Sequence, residues 1–358
     1  MSTMGIVGLP NVGKSTLFNS LIKKRKAPAS NYPFCTIKPN IGVVEIYDER
    51  FFKLAKMANA KKIVPAVMEF VDIAGLAKNA SKGEGLGNQF LADIREVDAI
   101  LEVVRFFEDS DIVHVEGGVN PDRDREIIEL ELIFADLDIV NKCTEKARKA
   151  AKAGNKEEKR IFETGSKIKK ALEEGRLASA SGISEEEKPV LKSLNLLTLK
   201  PFLYVANVSE EQFRTGSWRE LTKNPEIFLP ICAKIEEDLM DLNKEESKEY
   251  LKSLNVEDTG LDRLIKESYK TPNLITFFTV GEKETRAWRI NNGDKAVDAA
   301  GTIHSDFARG FIRAEVINWK DLLDVGSESA AAERGMIRGE GKEYIVQDGD
   351  CMNFKFNV

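Results

Sequence analysis

Cysteine is sparse in this chain. Its four cysteines, Cys35, Cys143, Cys232 and Cys351, lie far apart and form no Cys-x-x-Cys pair. That excludes a disulfide framework and argues against structural zinc, and it points to a reducing compartment. Long apolar runs are missing as well, since no stretch approaches the ~18 residues that a membrane span requires. The chain enters an apolar strand directly after Met1-Ser2-Thr3, with no leader pattern, so the expectation is a cytoplasmic protein with no membrane partner. An excess of basic charge is also lacking. With 53 Lys and Arg against 59 Asp and Glu, the net charge of -6 disfavours a whole-molecule, non-specific nucleic-acid binder. No internal repeat and no low-complexity tract interrupts the sequence.

What is present is ordinary globular composition over 358 residues, enough for two or three domains. Short apolar runs at 4–7, 42–46, 67–71, 99–104, 202–206 and 228–231 read as strands, and amphipathic stretches separate them. This alternation predicts an α/β fold with a doubly wound, mostly parallel sheet. From about residue 130 to 197 no strand is evident. Residues 141–176 carry 12 Lys and Arg against 6 Asp and Glu, a local excess of six positive charges. They predict a helical, coiled-coil-like insertion, an antiparallel pair turning near 175–184. Its charge suits either a solvated helical face or a surface for a polyanion. After residue 273 a small α+β domain is expected, with a β-rich run at 274–280, a helical segment at 297–311, and residues 344–346 and 352–356 flanking the Asp348-Gly349-Asp350 turn. The domain expectation is therefore 1–130 with 198–273 for nucleotide binding, 131–197 for the helical insertion, and 274–358 for the C-terminal module.

The chemistry concentrates in Gly8-Leu9-Pro10-Asn11-Val12-Gly13-Lys14-Ser15, a G-x-x-x-x-G-K-S phosphate loop with a strand before it and a helix after it. Its glycines let successive backbone N–H groups face phosphate oxygens. Lys14 supplies charge to the β and γ phosphates, and the Ser15 hydroxyl is a Mg²⁺ ligand. Asp72-Ile73-Ala74-Gly75 follows an apolar run, placing Asp72 for the metal and Gly75 for the γ-phosphate. Thr36, in the 31–36 loop, is a candidate second hydroxyl for Mg²⁺. Gly83, Gly85 and Gly87 suit a mobile segment.

Two departures from switch GTPases carry more information than these matches. Leu76 stands where a glutamine usually orients the attacking water, so intrinsic hydrolysis is expected to be slow. Asn11, as partner of a monovalent cation, and His114, in the polar loop after the fourth predicted strand, are candidates to complete the site. Second, the strand at 202–206 ends in Asn207-Val208-Ser209-Glu210, where guanine readers carry N-K-x-D. Glu210 is a methylene too long for the bidentate contact, and Val208 offers an apolar surface in place of lysine. Losing hydrogen bonds to a charged acceptor costs roughly 1.5–3 kcal/mol each, enough to erase a guanine preference. Cys232-Ala233-Lys234 stands where an S-A-K loop would close over the base.

GLPNVGKST at 8–16, NYPFCTIKPN at 31–40, DIAGLAKNASKGEGLGNQFL at 72–91 and NVSE at 207–210 resemble the Obg-like ATPase (YchF-type) family, and the resemblance extends over the whole chain. It implies an ATP-preferring P-loop hydrolase with GTP the weaker ligand, with Mg²⁺ and K⁺ as candidate ions. It also implies a TGS-like, ubiquitin-like C-terminal module and a ribosomal partner. Phosphate-loop roles pass to Asn11, Gly13, Lys14, Ser15 and Thr16, with Val12 between them. Metal and switch roles pass to Thr36, Asp72 and Gly75, and base recognition to Asn207, Val208 and Glu210. Two competing readings are an Obg-type GTPase and a ribosome- or RNA-binding adaptor in which nucleotide is structural. The basic insertion favours the adaptor. The C-terminal 85 residues, with 11 Lys and Arg against 14 Asp and Glu, weaken it.

Overall fold

The computed structural model describes residues 2–25, 40–73, 88–256 and 260–357. The first apolar run forms β1 (Thr3–Val7), buried along almost its whole length because strands lie on both sides of it. The phosphate loop follows and leads into α1 (Lys14–Arg25). Next come β2 (Ile41–Glu45), α2 (Glu49–Met57), the two-residue β3 (Ile63–Val64) and β4 (Val67–Asp72). Then follow α3 (Asn88–Glu96), β5 (Ala99–Arg105), α4 (Pro121–Lys152), α5 (Lys156–Glu173) and β6 (Phe202–Asn207). Last in this half are α6 (Glu210–Thr215), β7 (Phe228–Ile231) and α7 (Ala233–Asp238). All six expected strands are present to within a residue.

Their sheet has the order β2-β4-β1-β5-β6-β7, parallel throughout except for the β2–β4 pair. Because β1 lies between β4 and β5, the chain reverses direction across the sheet there. The carboxyl ends of β1, β4, β5 and β6 therefore open on one crevice, the usual place for a ligand in such folds.

Among the described residues no strand lies between β5 and β6, as expected for a helical insertion. The position of its turn needs correction. The antiparallel pair is α4 and α5, and it turns at 153–155, not near 175–184. Gly154 takes a positive φ of 93°, and the Asn155 side chain caps α5 by accepting from the amides of Glu157 and Glu158. After Gly175 (φ 72°) the chain returns through short 3₁₀ turns that cover the pair's apolar face at Ile133, Val140, Ile168 and Leu172. Residue 131 lies inside α4, whose first turns pack Ile128 and Leu132 into the main core.

The C-terminal segment builds a second sheet, ordered β11-β10-β12-β8-β9-β3. After α8 (Lys244–Ser253) and α9 (Leu261–Lys270) its strands are β8 (Leu274–Thr279) and β9 (Thr285–Asn291), before α10 (Ala296–Ile303) and α11 (Ser305–Arg309). Then come β10 (Phe311–Asn318), α12 (Trp319–Val325), α13 (Glu328–Glu333), β11 (Arg338–Glu340) and β12 (Asp350–Phe356). The helical expectation at 297–311 holds to Arg309, whereas Phe311 begins a strand. Residues 344–346 form no strand, and Ile345 makes one isolated bridge to Lys295.

Strand β3 comes from the nucleotide half, yet it pairs with β9 in this second sheet. Arg50 of α2 strengthens the junction. It bonds Asp48 at 2.8 Å and Asp348 at 2.7 Å, while its guanidinium lies 5.7 Å from the Phe278 ring centre. Phe51 stacks on the same ring, and one apolar core runs through both halves.

Candidate functional site

The phosphate loop is shaped by backbone that only certain residues tolerate. Gly8 and Gly13 take φ of 148° and 96°. A Cβ on Gly8 would meet the Val103 carbonyl at 2.4 Å, and one on Gly13 would meet the Asn207 amide nitrogen at 2.3 Å. Asn11 takes φ of 62°, a left-handed conformation that asparagine accepts more readily than most residues. The Lys14 ammonium, nine-tenths buried, donates to the carbonyls of Gly8 at 2.9 Å and Leu9 at 2.8 Å. Burial lowers its pKa from the ordinary 10.5 to about 8, against the opposing pull of Asp72. A cation that is largely desolvated, hydrogen-bonded among the described residues only to carbonyl dipoles, is prepared for an anion.

Ser15 and Asp72 arrive from different elements and meet, the Ser15 hydroxyl donating to the Asp72 carboxylate at 3.0 Å. One hydroxyl and one carboxylate beside a phosphate loop fit Mg²⁺, which takes few protein oxygens and completes its octahedron with phosphate and water. Ser15 and Asp72 would hold it. Thr36, Gly75 and Leu76 lie outside the described residues, as do the glycines at 83, 85 and 87.

The base side is a cleft of about 750 Å³. Asn11, Gly13, Thr16, Asn207, Val208, Glu210, Cys232, Ala233 and Lys234 all line it, so the structure brings these sequence candidates together. Asn207 is committed within the protein. Its side-chain nitrogen donates to the Val12 carbonyl at 2.8 Å, and its oxygen accepts from the Ala233 amide at 3.1 Å. It thus braces the phosphate loop against the 232–234 loop and does not point into open space. Val208 is buried. The Glu210 carboxylate stands 3.9 Å from the Lys234 ammonium, so neither charge is held tightly. Cys232 is buried at the start of α7, where desolvation raises its thiol pKa.

His114 is placed otherwise than a free loop histidine. Its Nδ1 accepts from the Glu116 amide at 3.1 Å, which leaves the proton on Nε2 to bond the Asp124 carboxylate at 2.8 Å. Arg123 holds the other Asp124 oxygen at 2.7 Å. His114 is therefore fastened to the first turn of α4. Its neighbour reaches the phosphate loop instead, the Val113 carbonyl accepting from the Asn11 side chain at 3.0 Å.

Arg105, Phe107 and Ile112 are among the residues lining or supporting this cleft that escape motif reading. The guanidinium of Arg105 packs over the Phe107 ring at 4.4 Å. Its one sequence signal is a charge inside the apolar run Val103-Val104-Arg105-Phe106-Phe107.

A phosphate loop after β1, its lysine and serine facing the aspartate of β4, and a base-side cleft beyond β6 define a P-loop nucleoside-triphosphate-binding protein of the G-domain kind. Family profiles match twice, one described as a 50S ribosome-binding GTPase over residues 3–162 and the other being the YchF GTPase C-terminal family over residues 274–357. The chain is 51% identical to the ribosome-binding ATPase YchF of Bacillus subtilis and 50% identical to that of Haemophilus influenzae, with 99% of each chain covered. The solved YchF GTPase of Schizosaccharomyces pombe superimposes with a TM-score of 0.84 at 39% identity, covering 99% of this chain and 97% of that one. The chain belongs to the YchF family.

Proposed function

We propose that this protein is an ATP-hydrolysing switch that converts ATP to ADP and phosphate and docks on the ribosome. The Ser15–Asp72 contact beside the buried Lys14 carries the reading, because it gathers phosphate and metal groups from the loop after β1, from α1 and from β4 at one point. Lys14 exchanges two carbonyl partners for phosphate oxygens, and the loop amides neutralise charge on the β-γ bridge as it breaks. Mg²⁺, when bound, supplies further neutralisation of the phosphates. Preference for ATP is supported by Val208 and Glu210, which present an apolar wall and a loosely held carboxylate where guanine readers carry Lys and Asp. K⁺ near Asn11 belongs to the same proposal.

Relatives named ribosome-binding ATPases support the partner, and the outer part of the α4–α5 pair, where residues 141–176 carry 12 Lys and Arg against 6 Asp and Glu, offers the surface for it. RNA contact through that pair, joined by the C-terminal module, is the form we favour. Parallel titrations of ATP and GTP, with phosphate release followed in each, test the reading. A hundredfold preference for GTP overturns it. Ribosome association and turnover unchanged by Lys14→Ala would favour an adaptor with structural nucleotide. Among the described residues no helix is long and apolar enough to cross a membrane.

A further inference from the structure

Arg105 closes β5 with a guanidinium that is 2% exposed. Among the described residues no carboxylate stands within 4 Å of it, the Asp109 and Asp124 charges acting only from farther away, and its hydrogen bonds all go to main-chain carbonyls. Nε donates to Phe107 at 3.0 Å, and Nη1 to Ile112 at 2.9 Å. Longer contacts reach Asn11 at 3.5 Å and Asp109 at 3.4 Å. These four acceptors belong to residues that line the nucleotide cleft. The guanidinium face also covers the Phe107 ring, its carbon 4.4 Å from the ring centre. In the strand register Arg105 stands beside Asn207, which braces the next peptide of the phosphate loop at Val12.

Burying an arginine without a carboxylate in direct contact is costly, and an aliphatic residue would fill the end of an apolar strand at lower cost. What the arginine adds is geometry. A planar fork with five donors can gather several carbonyls at once and still present a flat face to an aromatic ring.

We propose that Arg105 is a positioning residue for the nucleotide. It folds residues 107–112 into a fixed wall, sets the Phe107 ring by its face, and ties that wall to the phosphate loop at Asn11. Arg105 thereby governs nucleotide affinity and base selectivity without touching the nucleotide. The inference rests on the reading of the cleft as a nucleotide site.

The test uses the full chain with fluorescent ATP and GTP analogues, steady-state hydrolysis, and melting without nucleotide. Arg105→Ala should raise Kd and KM for ATP on the order of tenfold, with kcat at saturation within about twofold of wild type. Arg105→Lys keeps the charge without the fork and should recover less than half of that loss. Phe107→Ala should also weaken binding. Adding Arg105→Ala to it should cost less than about threefold more, since the arginine acts through that ring. A folded Arg105→Ala protein with wild-type KM overturns the proposal, as does a loss confined to kcat or fully additive effects. If the alanine variant does not fold, Arg105→Lys decides, and wild-type KM there overturns it. A wild-type protein that binds neither analogue defeats the nucleotide reading itself. Binding that is insensitive to Arg105 defeats only this inference.

Discussion

The nucleotide edge of the first sheet and the α4–α5 pair handle charge in opposite ways. At the edge, Lys14, Arg105 and Asn207 are buried, and among the described residues their side-chain hydrogen bonds all engage main-chain groups of nearby loops. On the outer part of the helical pair, from residue 141 onward, the charges mostly face solvent, and their partners are other exposed side chains. Arg148–Glu145 at 3.1 Å, Lys159–Glu163 at 3.8 Å and Lys169–Glu173 at 3.6 Å are examples. Exposed pairs of this kind contribute about 0–1 kcal/mol each, whereas an unmatched buried polar group costs about 1–3 kcal/mol. The edge therefore depends on residue identity, and the helical pair depends on charge density and apolar spacing.

The sharpest way to break the contrast is at Lys14. Lys14→Ala should weaken ATP binding by about a hundredfold or more, because two charge-assisted hydrogen bonds are worth about 1.5–3 kcal/mol each. Calorimetric titration measures it. The same site has a pH signature. A pKa of about 8, against 10.5 for an ordinary lysine, means that the unfolded chain binds the extra proton between those values. The unliganded protein's Lys14 contribution to stability is therefore complete above 10.5 and lost as pH falls through 8. A bound triphosphate favours the ammonium. Binding near pH 8–9 should accordingly take up protons, weaken as pH rises, and show a buffer-dependent enthalpy that Lys14→Ala lacks.

How much of this was legible in the sequence follows the same division. Gly8, Gly13 and Lys14 were readable because a strained loop admits few residues, and β1, β4, β5 and β6 because apolar runs mark buried parallel strands. Arg105 was not, since its partners are carbonyls, which every residue possesses and no motif records. β9 escaped because Arg286 and Arg289 interrupt the apolar pattern of a strand whose edge neighbour, β3, lies 222 residues earlier in the chain, Ile63 pairing with Thr285. The turn at 153–155 does carry a local signal, Gly154 followed by the capping Asn155, but the Lys-, Ala- and Glu-rich helical composition on either side masked it. Distant pairing and main-chain acceptors are both invisible to local pattern.

A second test asks whether the helical pair contains any position like those of the edge. Asp136 in α4 is fully buried and accepts from the Leu197 and Thr198 amides at 3.0 and 2.7 Å and from the Thr198 hydroxyl at 2.7 Å. It ties the outgoing helix to the returning chain. Asp136→Ala strands two buried amides and a hydroxyl, and should destabilise the protein by about 3 kcal/mol in chemical denaturation. ATP affinity of the folded fraction should stay within about twofold of wild type. A large loss of affinity would show that the base of the pair and the nucleotide edge form one unit.

The smallest stability effect belongs to the outer charges. Reversing Lys146 and Lys149 to Glu alters two exposed side chains that make no hydrogen bond or ion pair among the described residues. The expected change in stability is within about 0.5 kcal/mol. Their leverage lies in association. If the pair meets the ribosome through its basic face, each lost phosphate contact lowers the slope of log affinity against log salt by nearly one unit, with about 0.7 expected on single-stranded RNA. Sedimentation with ribosomes at several salt concentrations measures that slope. A flatter salt dependence, with unchanged melting and unchanged ATP affinity, separates the two regions as argued. An unchanged slope would leave the basic face as solvated surface, and the contrast with the nucleotide edge would then be one of stability alone.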